Sequence, residues 1–187
     1  MLVVHRLAFL TPLVLSANLS RAMSTKSTKD AALIFMHGLG DTPAGWSSLS
    51  SVLPSINPQL SNIEYVFPAS PTIPISINGG MKMPGWFDIY DWPIGPGIKD
   101  DVDGLNSSVS KIEEEVQKLE ESGISRDRIV VGGFSQGGAI ALLTAYQSSA
   151  ISNSKPFAGC VSLSGWLTKS ENSVVDASKA TPLLWGK

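Results

Sequence analysis

The chain has 187 residues, of which 43% are hydrophobic and 16% charged, and its formal net charge is -2. That length suits one domain with a real core, and the charge balance gives no electrostatic case for nucleic acid or an anionic membrane surface. A single cysteine, Cys160, cannot form an internal disulfide, which weighs against a secreted protein.

Residues Met1 to Arg21 contain no acidic side chain, and Leu7 to Leu15 form an apolar stretch interrupted by Pro12. The stretch is too short to cross a bilayer as a helix. It reads either as the hydrophobic region of a targeting peptide or as an extension with no sorting role. From Met23 the chain turns polar and would suit the start of a cytosolic protein. Residues 1–29 are therefore set apart as an N-terminal extension, and the fold is read from residue 30 onward.

Ala31 to Met36 is a continuous apolar run stopped by Gly38, as in a buried strand. A short helix is predicted from Pro43 to Leu53, ended by Pro54, and a second strand at Ile63–Phe67, closed by Pro68. Residues 68–100 are rich in Pro and Gly with no long periodic segment. Loops of this length inside a domain are usually functional or disordered. The content of Met81, Met83, Trp86, Phe87, Tyr90 and Trp92 argues for a folded surface, one that either shapes a pocket or closes over the core as a flap. Val102, Leu105, Val109, Ile112, Val116 and Leu119 then recur at steps of three and four, placing them on one helix face. Asp100, Asp101 and Asp103 suit its N-terminus, Glu113–Glu115 read as a solvated face, and Gly123 as its stop. A strand at 128–132, a helix from Ala139 to Tyr146, and strands at Gly159–Leu163 and Pro182–Trp185 complete the pattern. Strands alternating with helices imply an α/β fold with a mostly parallel sheet.

The chemistry centres on Gly133-Phe134-Ser135-Gln136-Gly137. A Gly-x-Ser-x-Gly pentapeptide is weak alone, but here a strand precedes it and a helix follows. A nucleophilic serine at a sharp strand-to-helix turn needs neighbours with little or no side chain, which Gly133 and Gly137 supply. The helix that follows points its positive end at the developing oxyanion. The loop His37-Gly38-Leu39-Gly40-Asp41 suits the other half of an oxyanion hole, so the expected donors are the N–H groups of Leu39 and Gln136. His37 sits at the strand end that forms the hole and is expected to bond the loop backbone rather than act as base.

These segments, with Gly45-Trp46, Asn78-Gly79-Gly80-Met81, Trp86-Phe87-Asp88 and Leu163-Ser164-Gly165-Trp166-Leu167, occur in an order that resembles the acyl-protein thioesterase and lysophospholipase (phospholipase/carboxylesterase) family across residues 31–187. The resemblance implies the α/β-hydrolase fold, with helices on both faces of the sheet. It also implies a cytoplasmic serine hydrolase of acyl esters or thioesters, acting on acylated proteins or lipid esters such as lysophospholipids. Should residues 1–22 be a targeting segment, the location would be organellar or secretory. Met81, Met83, Trp86 and Trp166 would contribute to acyl-chain binding. No metal or organic cofactor is implied, and two histidines and one cysteine offer no metal-ligand spacing. Transient contact with a membrane surface and the oligomeric state are left open.

The family's acid and histidine follow the serine in chain order. Here both histidines, His5 and His37, precede Ser135, and Asp176 does not match the family's acid. The chain stops at Lys187, at the mouth of the loop expected to hold that acid. Residues 30–187 thus read as an incomplete α/β-hydrolase domain with its C-terminal part missing and its triad Asp and His absent. Such a chain is expected to be impaired as a hydrolase. The alternatives are a non-catalytic remnant that binds acyl chains or proteins, and a general small-molecule esterase.

Overall fold

Residues Ala31–Met36 form the first strand, β1. Ala32, Ile34 and Met36 point to one side of it and Leu33 and Phe35 to the other, as the two-residue period of a strand requires. The computed structural model describes residues 28–94, 99–151 and 155–168. The apolar stretch Leu7–Leu15, Asp176 and the strand expected at Pro182–Trp185 lie outside the described residues.

After β1 come helix α1 (Leu49–Ile56), strand β2 (Ile63–Val66), strands β3 (Thr72–Ile75) and β4 (Met81–Pro84), helix α2 (Val102–Glu121), strand β5 (Ile129–Phe134), helix α3 (Gln136–Ile151) and strand β6 (Gly159–Leu163). Strands β2-β1-β5-β6 form a parallel sheet in that order. Register is set by pairs such as Leu33 with Tyr65, Phe35 with Gly132, and Gly132 with Val161. The chain leaves β1 toward β2 and leaves β5 toward β6, so the C-terminal ends of β1 and β5 open onto a crevice where the winding reverses. Ligands of open α/β sheets bind at such a point.

One sheet face carries the core. Ile34, Met36, Ile129 and Val131 pack with Leu105, Ile112, Val116 and Leu119 of α2 and Ala139, Ile140 and Leu143 of α3. Burying each of the larger aliphatic side chains stabilises the fold by roughly 1.5–3 kcal/mol. Across the sheet, Leu53 of α1 shares an apolar groove with Leu33, Val130 and Val161, and Trp46 tilts against Phe35 and Phe134. Helices therefore lie on both faces, as expected of the fold.

Helix α2 carries the predicted stripe, with Leu105, Val109, Ile112, Val116 and Leu119 buried. Its start is capped by Asp101, whose carboxylate accepts the Gly104 N–H at 3.0 Å and the Asp88 N–H at 2.8 Å. Its end is a Schellman turn: Gly123 at φ 104° donates to the Glu120 carbonyl and Ile124 to the Leu119 carbonyl.

Three readings need correction. The first helix begins at Leu49, after a 3₁₀ turn at Pro43–Gly45, and runs through Pro54 to Ile56. Proline removes one N–H donor, and on a helix with no buried residue water can satisfy the freed carbonyl. Residues 68–100 contain the antiparallel β3–β4 hairpin. Its strands are four residues each and interrupted by proline, too short for a legible period. Glu113 is not simply solvated: its carboxylate pairs with Arg126, whose side chain is only 10% exposed and whose guanidinium lies 4.5 Å from the Phe157 ring centre.

Candidate active site

Strand β5 ends at Phe134 and α3 begins at Gln136, leaving Ser135 alone at the turn. Its φ is 53°, a left-handed conformation that a non-glycine residue adopts at some cost. The turn is held because the Ser135 N–H donates to the Leu163 carbonyl at 2.9 Å and the Ala139 N–H to the Ser135 carbonyl at 3.0 Å. A Cβ at Gly133 would stand 2.3 Å from the Gly137 carbonyl carbon. One at Gly137 would stand 2.3 Å from the Met36 carbonyl oxygen and 2.6 Å from that of His37. Both glycines are thus required by backbone contact: the first lets the turn close, the second lets it press on the end of β1.

The loop after β1 lies beside this turn. A Cβ at Gly38 would be 3.4 Å from Ser135 Cβ. Gly40 and Asp41 donate their N–H groups to the Pro84 and Gly38 carbonyls. Among the described residues the N–H of Leu39, just before them, has no acceptor. The Gln136 N–H belongs to the first turn of α3, where no intrahelical acceptor exists. Neither of the N–H groups expected as oxyanion donors is thus given a protein acceptor among the described residues.

His37 is 1% exposed. Its Nε2 accepts the Ser70 N–H at 3.1 Å, so Nδ1 is the nitrogen that donates to the Gly38 carbonyl at 2.8 Å. The ring braces backbone, as its position in the sequence suggested. Asp41 closes the same loop, accepting the Thr42 N–H at 2.7 Å and the Trp46 indole N–H at 3.0 Å. A Cβ at Gly45 would lie 2.6 Å from the Asp41 carboxylate, which accounts for Gly45-Trp46 following Asp41 in the motif.

The four residues expected to bind an acyl chain are placed differently. Met81 is 64% exposed on β4. Met83 is half-buried, with its sulfur 3.8 Å from where a Gly40 Cβ would stand. Trp166 is half-buried and edge-on to Phe87, with ring centres 5.9 Å apart. Trp86 is 1% exposed and faces the loop after β1 and the start of α3 instead of solvent. Its indole Nε1–H donates to the His37 carbonyl at 2.8 Å, and its backbone N–H to Gln136 Oε1 at 3.0 Å. The Gln136 side chain, Asp41 and Pro84 were not singled out from the sequence. The partners of Gln136 and Pro84 lie far along the chain, and only Asp41, bonded to Thr42 and Trp46, carries a local signal.

A cleft of about 510 Å³ opens between the hairpin and α2, lined by Pro71, Ile73, Trp86, Tyr90, Ser107 and Lys111. Ser135 does not line it, and instead stands half-exposed on the crevice at the strand ends. Cys160 is half-buried, and desolvation pushes its thiol up to about 11. It is protonated at neutral pH and so a poor nucleophile. Among the described residues no cluster of His, Cys, Asp and Glu could hold a metal ion, and no helix is long and apolar enough to cross a membrane.

With this geometry in place, comparison with known proteins is decisive for the family. Residues 17–184 match the phospholipase/carboxylesterase family model. The chain belongs to the phospholipase/carboxylesterase family. An acyl-protein thioesterase 1 of Cryptococcus neoformans is 38% identical over 168 residues, covering 88% of this chain and 67% of the relative. The protein of that name from Mycosarcoma maydis is 44% identical over 146 residues, covering 73% and 58%. Among solved structures, Zea mays acyl-protein thioesterase 2 superposes with a TM-score of 0.62 at 34% identity, over 76% of this chain and 59% of that one. Arabidopsis thaliana SOBER1 does so with a TM-score of 0.67 at 26% identity, over 75% and 63%. This family member therefore spans about three fifths to two thirds of the length of the relatives it matches.

Proposed function

We propose that this chain carries the nucleophile, the oxyanion hole and part of the acyl-binding surface of a serine hydrolase acting on acyl esters and thioesters, with acylated proteins or lipid esters as substrates. The observation that carries the reading is Ser135, held at φ 53° between β5 and α3, with the end of β1 against the same turn. Ser135 Oγ attacks the acyl carbonyl, and the N–H groups of Leu39 and Gln136 receive the charge that develops on its oxygen. The relatives' name, acyl-protein thioesterase, supports a thioester as the bond broken.

Ser135 needs a base to take its proton, and His37 cannot serve, since both ring nitrogens are engaged with backbone groups. Hydrolysis by the 187-residue polypeptide itself is accordingly expected to be weak. An oxyanion hole and binding alone sustain on the order of 10³-fold catalysis over water.

Labelling with a fluorophosphonate, read by intact mass and peptide mapping, tests the assignment. Slow, pH-dependent modification at Ser135 that vanishes in Ser135→Ala is expected. Undiminished labelling of the variant would remove Ser135 as nucleophile.

A further inference from the structure

The two oxyanion donors sit on different loops, and such a hole works only when both N–H groups converge on one oxygen at about 2.7–3.1 Å. The contact of Gly137 with the Met36 and His37 carbonyls brings the loops together but does not orient them. Orientation comes from a third element, the foot of the β3–β4 hairpin. Leu39 is flanked by two groups bonded to that foot: the His37 carbonyl accepts from the Trp86 indole at 2.8 Å, and the Gly40 N–H donates to the Pro84 carbonyl at 2.8 Å. Gln136 is bonded to the same foot, its Oε1 accepting the Trp86 N–H at 3.0 Å and its Nε2 donating to the Phe87 carbonyl at 2.7 Å. Ser108 Oγ of α2 anchors the Trp86 carbonyl. Trp86 and Gln136 are 1% and 0% exposed, so these bonds are shielded from water and hold a fixed geometry.

We infer that Trp86 is a positioning residue of the oxyanion hole: through its indole and backbone N–H groups it sets the Leu39 loop and Gln136 in register with each other, without touching the substrate. This rests on the reading of Ser135 as nucleophile and adds to it. It also assigns the Gln136 side chain a task separate from its backbone N–H, which is to lock the first turn of α3 to the hairpin foot.

A plain core role for Trp86 predicts loss of stability and equal weakening of every ligand. The positioning role predicts a selective loss for ligands that place negative charge in the hole. Two probes of matched chain length separate them in the full 187-residue chain. Octylboronic acid adds to Ser135: the Oγ lone pair forms the B–O bond, the hydroxyl proton passes to solvent, and the tetrahedral boron takes the negative charge. 2-(Octylthio)ethanol, a thioether, offers the chain without a carbonyl or a charge. Binding is followed by boron NMR for the first and by calorimetry for the second. Trp86→Phe removes the indole donor and keeps an aromatic ring. Gln136→Met keeps the shape and the backbone N–H but loses both amide bonds. Each is expected to weaken boronate binding about ten- to a hundredfold and to change thioether binding by less than about twofold. Ser108→Ala, which frees only the Trp86 carbonyl, should give a smaller loss of the same kind. Equal weakening of both probes, or an unchanged boronate affinity, overturns the proposal. Should Trp86→Phe fail to melt cooperatively, Gln136→Met and Ser108→Ala decide it by the same two probes. In Ser135→Ala the tetrahedral boron signal should disappear. Its persistence would mean that the nucleophile assignment, rather than the brace, is at fault.

Discussion

His37 Nε2 accepts the backbone N–H of Ser70 at 3.1 Å. This bond ties the end of β1 to the segment between β2 and β3, while the other ring nitrogen holds the Gly38 carbonyl. The buried ring has both nitrogens bonded to backbone groups, and losing it leaves the part-buried Ser70 N–H without an acceptor. His37→Ala is expected to cost about 1–3 kcal/mol of stability, measured by urea unfolding. The shape of the pH profile for Ser135 labelling should stay as in the parent. A variant of undiminished stability that no longer labels would make His37 part of the chemistry.

Gly137 of the elbow and Gly159 of β6 differ in what surrounds them. Gly137→Ala sets a methyl group 2.3 Å from a main-chain carbonyl oxygen, and neither strand nor helix can move without breaking the sheet. A loss of about 3 kcal/mol or more is expected, together with loss of Ser135 reactivity. At Gly159 the nearest atom to an added Cβ is Val130 Cγ2 at 3.9 Å, so Gly159→Ala should melt within a few degrees of the parent. Thermal unfolding of the pair provides the comparison, and equal behaviour would contradict the packing described.

Met83 is a proposed acyl-contact residue whose sulfur lies 3.8 Å from where a Gly40 Cβ would stand, and its adaptable thioether suits an alkyl chain. In an active form that includes a catalytic base, Met83→Ala is expected to reduce turnover of long-chain thioesters several-fold more than of short-chain ones. Steady-state kinetics over a chain-length series would show it. An equal loss at all lengths would leave the hairpin with a structural role only.

Cys160 offers a pH-dependent test of burial. Desolvation raises its thiol from 9.0 to about 11 in the folded chain. A raised value means that folding favours the protonated form. Its contribution to stability is complete below pH 9 and is lost as the pH climbs through 11. Alkylation by iodoacetamide should therefore be slow at pH 8 and rise toward pH 11, whereas in urea the thiol should react as an ordinary cysteine. Fast alkylation of the folded chain at pH 8 would show the side chain to be open to water.

Local pattern was enough for the parts of this protein that repeat or that demand a special residue. The stripe from Val102 to Leu119 made α2 legible, because burial on one helix face leaves a period of three and four. The strand, Ser135 and helix sequence made the elbow legible, because a turn that tight admits only small neighbours. The sequence also signalled that His37 bonds loop backbone, since it stands at a strand end ahead of the serine.

What sequence could not reveal is which distant residues meet. The β3–β4 hairpin escaped notice because four-residue strands with proline carry too few positions for a period. Trp86, expected on the acyl surface from the family resemblance, was placed by tertiary structure between the loop after β1 and the start of α3. Its two N–H groups find there the His37 carbonyl and the Gln136 amide. Glu113 stood in an acidic run that looked solvated until Arg126 was brought beside it. In each case the deciding interaction joins residues remote in the chain, and a hydrogen bond or ion pair of that kind leaves no periodic trace in either segment. The sequence alone determined where the Gly-x-Ser-x-Gly turn and the His37–Asp41 loop stand in the chain, and the fold decided which distant residues hold them in place.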